Sequence, residues 1–571
     1  MTVNTQLIKE TGATFTPPQL ADFIADKLLS YLESKEQKLK VLDPACGDGI
    51  LLSSISKKLL KKGLDFELMG FDSNKYFLES AAQNLQSLTS NSAIDFHHGD
   101  FLQHIQPQKQ QTSLFEAADS NDSINNSIDL IIANPPYVRT QILGADYAQE
   151  IAKKFNLKGR VDLYYPFLLG MTYALKENGL IAVITSNRYL STKSGASVRK
   201  FLKEHYEILE IIDLGDTKLF DAAVLPAIFI GRKKSVPSSQ FPQFTKVYEE
   251  LNGYKGTLNS VNTVYEILNN EKNGFFAIEG KKYKKTSGVI QFVEAKDAMW
   301  ALLSKEEDKW ISKIQETSKN TIGDFFKVRV GIKTTADKVF IRDDWESQNN
   351  QPESSLLKDL ISQQNIEPWA LCTKKKLKVV YPHYSENGKK QTINLEDYPD
   401  AKLYFEEHKE QLSNRKYLIK AGRKWFEIWV TQNPALWEKP KLVFPDISPY
   451  PRFYFDESKR VVNGNCYWIV AEKSEDIDLL LLVQGIANSM LMTKYHDLMF
   501  NNKLYAGRRR YFSQYVEKYP LPNVHSDSSK KIVSIVKTLN NSPLKGKTAL
   551  IEKLEIAVAD AFGVEPVFSL D

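Results

Sequence analysis

At 571 residues the chain is long enough for about two to four domains, and its 42% hydrophobic and 25% charged residues are ordinary for a globular protein. The formal net charge of +5 is too small to indicate a partner. Three well-separated cysteines, Cys46, Cys372 and Cys466, indicate neither a disulfide framework nor a zinc site, and they favour a reducing compartment. Because the N-terminus lacks a signal-peptide pattern and no window approaches about eighteen uncharged apolar residues, we expect a cytoplasmic protein without membrane contact.

From about residue 17 to 235, short aliphatic runs alternate with amphipathic helical patterns, as in a doubly wound α/β domain. The strand candidates are KVLDPA (40–45), FELMGFD (66–72), AIDFHHGD (93–100), DLIIAN (129–134), LIAVITSN (180–187), LEIIDLG (209–215) and PAIFIGRK (226–233). Helical patterns such as QLADFIADKLLSYL and YYPFLLGMTYAL fall between them. The stretch 103–127, rich in Gln, Asn and Ser, indicates a surface insertion between two strands.

Beyond about residue 240 the pattern changes to aromatic residues, lysines and turn residues with shorter helices. The segments 327–341 and 441–462 are typical of antiparallel hairpins, and apolar residues at helical spacing in 549–564 predict a terminal helix that packs back on the protein. The predicted domains are a Rossmann-like α/β domain (1–240), a mixed α/β domain (241–525) and a C-terminal helical tail (526–571).

The segment VLDPACGDGILL (41–52) runs from a strand into a glycine-rich turn and then into a helix. Gly47 lets the backbone approach a ligand closely, and Asp43 ends the strand. A dinucleotide-binding turn is disfavoured, because Leu52 stands where the third glycine of G-x-G-x-x-G belongs and because Asp43 and Asp48 would repel a pyrophosphate. The turn therefore favours a cationic ligand.

Two more acids follow the ends of successive strands. Asp72 is placed to hold a pair of ribose hydroxyls, and Asp100 is placed to accept a hydrogen bond from an exocyclic amino group. One acid at a strand end is more often a helix cap, but three in register favour a single ligand. Adenine, ribose and a positively charged sulfonium together describe S-adenosylmethionine.

The fourth strand ends at Asn134, which is followed by Pro135, Pro136 and Tyr137. An exocyclic amine on an aromatic ring is a poor nucleophile because its lone pair is delocalised. The Asn134 side-chain oxygen and the Pro135 carbonyl, in a corner that the prolines stiffen, would accept its two N–H bonds and turn the lone pair toward the sulfonium methyl. Tyr137 would stack on the target base, a contact worth roughly 1–3 kcal/mol, comparable to the cost of extracting a base. Positioning and polarisation suffice, so we expect no metal.

The order Thr-Pro-Pro, Asp-Pro-Ala-Cys-Gly-x-Gly, strand-end acids and Asn-Pro-Pro-Tyr resembles the gamma class of N6-adenine DNA methyltransferases, the TaqI-like group. The resemblance runs from about residue 9 to 233 and continues more weakly beyond. It implies a Rossmann-like S-adenosylmethionine-dependent methyltransferase domain followed by a mixed α/β target-recognition domain. The implied cofactor residues are Thr16, Asp43, Ala45, Asp72, Asp100 and Pro136, and Gly47 and Phe101 complete the set of predicted cofactor-binding residues. Asp43 departs from the type member, which has Glu there, but the charge is kept.

The resemblance also implies that Phe220 covers the face of the extruded adenine opposite Tyr137. In the C-terminal half, KVRVGIKTTADKVFI (327–341) resembles the beginning of a target-recognition domain, and its Arg329, Lys333 and Lys338 are candidates for contacts with phosphates or guanine edges.

Basic clusters lie at 281–285, 373–378 and 507–512 and favour a surface that follows phosphates of double-stranded DNA. The last of them, GRRRYF, indicates DNA contact most strongly, because consecutive arginines are costly to bury without anionic partners. The DNA-binding residues predicted are Arg329, Lys333, Arg508, Arg509 and Arg510.

Asn-Pro-Pro-Tyr leaves the substrate open, since similar tetrapeptides occur in methyltransferases that act on glutamine side chains of proteins and on guanine N2 of RNA. The N4 amine of cytosine would also suit the same acceptors. The protein and RNA enzymes are generally compact, whereas about 330 residues follow residue 240 here. The motif order favours adenine over cytosine. A protein that only binds DNA or cofactor is disfavoured because the acids, Asn134 and Tyr137 are all intact.

A rival activity is suggested by Pro445-Asp446 and Glu457-Ser458-Lys459, which formally fit a PD…(D/E)xK nuclease and would make a combined restriction and methylation enzyme. DESKR is more typical of a hairpin turn, and such short patterns arise by chance. The expected protein is a modification enzyme of a restriction-modification system, and the family resemblance implies a monomer. Its cognate endonuclease would be a separate protein that acts on the same DNA site without forming a complex.

Overall fold

A computed structural model describes residues 15–33, 38–86, 88, 93–107, 124–137, 144–157, 162–217, 219, 225–234, 241–250, 256–292, 299–372, 376–500, 504, 507–543 and 547–569. The chain divides into two compact units, Met1–Ser304 and Lys305–Asp571.

The first unit is built on one large sheet. Its strands are β1 (Leu39–Asp43), β2 (Phe66–Asp72), β3 (Ile94–His98), β4 (Ile128–Ala133), β5 (Leu175–Ser186), β6 (Tyr206–Asp213), β7 (Pro226–Lys233), β8 (Gln243–Glu249), β9 (Asn259–Ser260), β10 (Gly274–Ile278) and β11 (Lys281–Val289). Its helices are α1 (Pro18–Ser30), α2 (Ile50–Lys61), α3 (Lys75–Gln86), α4 (Phe101–His104), α5 (Ala145–Lys154), α6 (Tyr164–Ala174), α7 (Arg188–Ser191), α8 (Ala196–His205) and α9 (Val264–Asn269). The strand order is β3-β2-β1-β4-β5-β7-β6-β8-β11-β10-β9.

Alternation along the central strands places side chains on both faces of the sheet. In β4, Leu130 and Ile132 pack in the core cluster that includes α1, α2 and α3, whereas Ile131 and Ala133 pack in the cluster that includes α4, α5, α6 and α8. Strands β3, β2, β1, β4 and β5 run parallel, so their carboxyl ends share one edge. The predicted doubly wound α/β architecture is confirmed.

The first unit extends beyond the boundary expected at residue 240. Strand β8 pairs in parallel with β6, and β11 pairs antiparallel with β8, so these strands continue the same sheet and the unit ends at Ser304. The pattern of KKYKKTSGV (281–289) concealed this, because a lysine-rich strand does not show apolar alternation. Its buried residues are Tyr283, Lys285 and Thr286.

The second unit contains several small sheets. Its strands are β12 (Asn320–Thr321), β13 (Arg329–Val330), β14 (Ile341–Arg342), β15 (Leu357–Ile361), β16 (Ile366–Glu367), β17 (Ala370–Leu371), β18 (Lys378–Val380), β19 (His383–Glu386), β20 (Lys389–Thr392), β21 (Lys441–Pro445), β22 (Ile447–Ser448), β23 (Tyr454–Asp456), β24 (Val461–Val462), β25 (Cys466–Val470), β26 (Arg509–Arg510) and β27 (Pro520–Leu521). The α-helices are α10 (Lys305–Thr317), α11 (Ile322–Phe325), α12 (Asp337–Phe340), α13 (Pro399–Glu407), α14 (Lys409–Ser413), α15 (Lys416–Lys420), α16 (Asp476–Ala487), α17 (Met490–Phe500), α18 (Ser513–Val516), α19 (Asp527–Asn541) and α20 (Thr548–Phe562).

Long-range pairing organises this unit. The segment 441–462 contains the hairpin of β21 with β23, but 327–341 does not form a hairpin, because β13 pairs with β25 and β14 pairs with β18. Helices α19 and α20 pack on each other and on α16. Within the described part of the chain no single helix has the length and apolar composition to cross a bilayer; α16 and α17 pass that test only as a pair, which is bent by 73°.

Candidate functional site

A cavity of about 380 Å³ lies at the carboxyl ends of β1, β2, β3 and β4. Every residue predicted to bind the cofactor lines this cavity, namely Thr16, Asp43, Ala45, Gly47, Asp72, Asp100, Phe101 and Pro136. The catalytic candidate Asn134 lines it as well. The topology explains the convergence, because parallel strands bring their carboxyl ends to one edge of the sheet.

The turn after β1 is fixed by backbone conformation and by β2. Gly47 and Gly49 have φ of +54° and +77°, values in the left-handed region that favours glycine, and α2 begins at Ile50. The Gly47 N–H donates to Asp72 Oδ2 at 3.0 Å, and the Asn74 N–H donates to Asp72 Oδ1 at 2.8 Å. The Asp72 carboxylate thus joins the end of β2 to the turn after β1.

The acids of the cavity are desolvated. Asp43 is 1% exposed, its Oδ1 accepts the Ala45 N–H at 3.1 Å, and within the described residues its Oδ2 has no hydrogen-bond partner. Burial raises the pKa of Asp43 to about 8, against the hydrogen bond from Ala45, and the charges of Asp72 and Asp48 act in the same direction as burial. Burial also raises the pKa values of Asp72 and Asp48. A cationic ligand with hydrogen-bond donors would offset the cost of ionising these buried carboxyl groups.

Aromatic side chains enclose the other end of the cavity. Asp100 caps α4 by accepting the Leu102 N–H at 2.9 Å, and its second oxygen accepts the Tyr147 hydroxyl at 2.8 Å. Phe101 and Phe167 line the cavity with ring centroids 5.9 Å apart. Flat apolar rings beside a carboxylate acceptor suit a purine that carries an amino group.

The Asn-Pro-Pro-Tyr segment continues directly from β4. The Asn134 amide nitrogen donates to Thr16 Oγ1 at 3.1 Å, and the Asn134 amide oxygen accepts the Tyr137 hydroxyl at 2.7 Å. Pro135 is buried, and the half-buried Tyr137 packs against the core cluster of α1 and α2. The amide is therefore held in one orientation, with its oxygen directed at a hydroxyl donor. Phe220 lies outside the described residues.

Sequence reasoning missed several residues of the cavity: Phe15, Phe77, Leu163, Phe167 and Tyr147. Phe15 and Phe77 form an edge-to-face pair with centroids 5.2 Å apart. The signal for Phe15 was its place beside Thr16. Phe167 sits in an apolar helical pattern that reads as core, and Tyr147 belongs to no motif.

The basic residues predicted to bind DNA have different environments. Lys333 and Lys338 are exposed, and Arg329 pairs with Glu472 at 3.1 Å while lying over the Trp468 ring. In the described part of the 373–378 cluster, Lys376 is exposed and Lys378 is half-buried in β18.

The three consecutive arginines also separate. Arg508 is exposed, and Arg510 is half-buried with its guanidinium 4.8 Å from the Phe512 ring centroid. Arg509 is 5% exposed and forms two hydrogen bonds of 2.6 and 2.7 Å with Asp497. The prediction of DNA contact does not hold for Arg509, because its guanidinium is already buried and neutralised.

A similar correction applies to KKYKK (281–285). Lys285 is 3% exposed, and its ammonium donates to the carbonyls of Leu268, at 3.1 Å, and Asn270. The ammonium group of Lys285 therefore forms hydrogen bonds with backbone carbonyls at the carboxyl end of α9 and is not exposed to a ligand.

Charged residues in and beside the nuclease pattern form ion pairs within the fold. Asp456, next to Glu457, is fully buried and pairs with Lys441 and Arg460. Lys459 is on a turn with φ of +59° and pairs with Glu438 at 2.6 Å. The described residues contain no group of three or more His, Cys, Asp or Glu side chains able to hold a metal ion. The predicted hairpin turn is wrong, because this segment connects β23, which pairs with β21, to β24, which pairs with β15 in another sheet.

Comparison with known proteins finds two family matches: "Eco57I restriction-modification methylase" over residues 51–220 and "TaqI-like C-terminal specificity domain" over residues 364–521. The chain is 44% identical to Type II methyltransferase M.BanIII of Aneurinibacillus aneurinilyticus, over 99% of both chains. It is 26% identical to Type II methyltransferase M.BstVI of Geobacillus stearothermophilus, over 90% of both chains.

Among solved structures, the Type IIL restriction-modification enzyme MmeI in complex with DNA matches with a TM-score of 0.61 at 14% identity, over 100% of this chain and 76% of that chain. The DrdV–DNA complex matches with a TM-score of 0.50 at 13% identity, over 94% of this chain and 57% of that chain. These two structures share the fold of this chain.

Proposed function

Since the chain belongs to the Type II DNA methyltransferases of restriction-modification systems, we propose that it methylates N6 of a specific adenine that is flipped out of double-stranded DNA. The resemblance to TaqI-like enzymes is confirmed by both family matches, and the cofactor is S-adenosylmethionine. The observation that carries the proposal is the position of Asn134, a catalytic candidate that lines the same cavity as the cofactor residues.

The residues of the cavity match the parts of the cofactor. Asp43 offers a desolvated carboxylate without a described partner for its Oδ2, which suits a positive charge. Asp72 faces the cavity beside the glycine turn and accepts from ribose hydroxyls, and Asp100 accepts from the adenine amino group beside the rings of Phe101 and Phe167. When bound, S-adenosylmethionine supplies an electrophilic methyl group.

Asn134 orients the target amine. The hydroxyl of Thr16 accepts one N–H of the amide, which fixes the amide oxygen as the acceptor toward the substrate side. In the structure this oxygen accepts the Tyr137 hydroxyl, a donor that the target N–H replaces. The Pro135 carbonyl accepts the second N–H, and the amine lone pair is then free to attack. Tyr137, released from Asn134, stacks on the flipped base, and Phe220 covers its other face.

The second unit supplies sequence recognition. The match to a TaqI-like specificity domain covers residues 364–521 of this unit, and the MmeI structure with the same fold contains DNA. The proposed DNA contacts are Arg329, Lys333, Arg508 and Arg510, with Arg509 left out because it is buried. We propose that the protein is a monomer and that cleavage belongs to a separate cognate endonuclease.

The test uses purified protein, labelled S-adenosylmethionine and unmethylated genomic DNA, followed by digestion to nucleosides. N6-methyladenine is expected from the native chain and should fall below about a thousandth in Asn134→Ala, because catalysis depends on positioned acceptors. Asn262→Ala, an exposed asparagine of the first unit, is the matched control and should keep full activity.

Each other product contradicts one part of the proposal. N4-methylcytosine would overturn adenine as the target, and label in RNA or protein would overturn DNA recognition. DNA cleavage in a magnesium-supplemented sample would restore the combined restriction and methylation enzyme.

A further inference from the structure

The carboxylate of Asp100 is held by two elements, and one of them has no part in the mechanism above. Its Oδ1 accepts the Leu102 N–H at 2.9 Å at the start of α4, and its Oδ2 accepts the Tyr147 hydroxyl at 2.8 Å from α5. Tyr147 is half-buried and lines the cofactor cavity beside Asp100. A residue outside every recognised motif therefore controls an acceptor of the cavity.

Helix α5 packs on the segment after Asp100 along a single face. Tyr147, Glu150 and Lys154 are three and four residues apart, which places them on one side of the helix. The Gln103 amide donates to Glu150 Oε1 at 3.0 Å, and the Lys154 ammonium donates to the Gln103 carbonyl at 3.2 Å. The contact between Tyr147 and Asp100 thus belongs to a row of polar contacts that fixes α5 against α4.

We propose that Tyr147 is a positioning residue that orients the Asp100 carboxylate toward the exocyclic amino group of the cofactor's adenine, and so sets the enzyme's selectivity for a 6-amino purine. The inference rests on the proposed role of Asp100. It adds a residue and a selectivity that the motif assignment does not contain.

The Tyr147 hydroxyl and the adenine amino group do not compete for the same acceptor site on the Asp100 carboxylate. A carboxylate has about four acceptor sites, and the Leu102 N–H and the Tyr147 hydroxyl each take one, on different oxygens. One site on each oxygen remains, and the two existing bonds prevent rotation of the carboxylate plane. Burial and the Asp100 charge raise the pKa of Tyr147, so its hydroxyl stays protonated and acts as a donor.

The selectivity is measured as a ratio of affinities. S-adenosylhomocysteine and its purine analogue with hydrogen in place of the 6-amino group are titrated into the full-length protein by calorimetry. The native protein should prefer the amino ligand on the order of tenfold or more, since the amine bonds to a charged acceptor. In Tyr147→Phe, which keeps the ring, we expect the preference to contract about three- to tenfold, mainly through weaker binding of the amino ligand.

A double-mutant cycle assigns the effect to Asp100. Asp100→Asn should contract the preference, and Tyr147→Phe in that background should contract it no further, because the tyrosine acts through the carboxylate. Tyr165→Phe is the matched control: this tyrosine is also half-buried, its hydroxyl lies 3.5 Å from the Ser197 carbonyl, and it does not line the cavity. The Tyr165→Phe variant should prefer the amino ligand by the same factor as the native protein.

Two outcomes with Tyr147→Phe overturn the inference: an unchanged ratio in a variant that melts like the native protein, and tighter binding of the amino ligand, which would make the hydroxyl a competitor of the amine. A native protein without preference would overturn the role of Asp100 as well. DNA methylation is assayed in parallel, so that a contracted ratio together with a product other than N6-methyladenine would leave the inference standing and reject the proposed reaction.

Discussion

The cofactor cavity and the arginine run at 508–510 differ in how well the sequence predicts where their side chains lie. All eight residues predicted for the cofactor line one cavity, although they come from distant parts of the chain. The three arginines are adjacent in sequence, yet Arg508 is exposed, Arg509 is buried and Arg510 is half-buried. Proximity in sequence was thus a poorer guide than position at a strand end.

The physical reason is that a strand end carries geometric information and a charge run does not. An acid after a parallel strand lies at the ligand-binding edge whatever its sequence neighbours are. The direction of each arginine instead depends on the pairing of β26 with β22, in which Arg510 lies opposite Ile447. Successive side chains of a strand point to opposite faces, so one of two neighbouring arginines must turn inward.

The two ends of β2 test whether the position of an acid along a strand decides its role. Asp72→Ala removes the acceptor of the Gly47 and Asn74 N–H groups at the cavity end of β2, and the proposed ribose acceptor with it. S-adenosylmethionine affinity should fall about a hundredfold or more in calorimetry, since bonds to a charged acceptor are strong. Asp65→Ala, an exposed acid before the other end of the same strand, is the control and should bind normally. Equal effects would show that strand-end position does not matter.

The adjacent residues Arg508 and Arg509 should differ in their contribution to the free energy of unfolding. Arg509→Ala removes the two hydrogen bonds that the buried guanidinium makes to the half-buried Asp497 carboxylate, which should lower the free energy of unfolding by roughly 3 kcal/mol in denaturant titration. Arg508→Ala removes an exposed side chain and should leave the unfolding midpoint unchanged. A native-like midpoint in Arg509→Ala would contradict a structural role for this arginine.

The sequence predicted the doubly wound fold and the residues of the glycine turn because both depend on local patterns: buried aliphatic strands, strand-end acids and glycines at φ of +54° and +77°. It placed the end of the first unit at residue 240 instead of Ser304, because membership of β8 and β11 in the large sheet is decided by pairing with β6. Pairing partners distant in sequence leave no mark in either strand alone.

Some aromatic residues that line the cavity could not be predicted from the sequence. Phe167 belongs to an apolar helix in which nothing distinguishes a cavity-lining ring from a core ring. Tyr147 reaches Asp100 because α5 folds back on α4, a contact between residues 47 positions apart. Only the packing of the helices shows which aromatic side chains face the ligand.

A third effect tests whether the acids of the cavity are prepared for a cation. Because burial raises the pKa of Asp43 to about 8, this side chain is a neutral acid below that pH. S-adenosylmethionine binds the ionised form more tightly, so its affinity should rise by up to about tenfold per pH unit between about pH 6 and 8 and level off above. Asp43→Asn should lack this rise. Since both proteins share every other titration, the ratio of their affinities isolates Asp43, and a constant ratio would reject the assignment.

The same carboxyl group has a stability consequence with a definite sign. In the unfolded chain an aspartate titrates near about 3.9, and in the folded protein Asp43 titrates at about 8. Between these values the unfolded chain has lost a proton that the folded protein keeps. The free energy of unfolding should therefore fall as pH rises through this window, by up to about 1.4 kcal/mol per pH unit, and the fall should be absent in Asp43→Asn.

The smallest effect returns to the arginine run. If Arg508 contacts a phosphate, Arg508→Ala should weaken binding by a similar factor on cognate and unrelated duplexes and should lower the slope of log affinity against log salt by about 1. Arg510 lies over the Phe512 ring and near Asp446, whose pKa burial raises while Arg510 opposes that shift. A guanidinium held in this way suits a base edge, so Arg510→Ala should reduce cognate binding more than unrelated binding. Equal loss on both duplexes in both variants would mean that neither arginine reads a base and that the run serves phosphates alone.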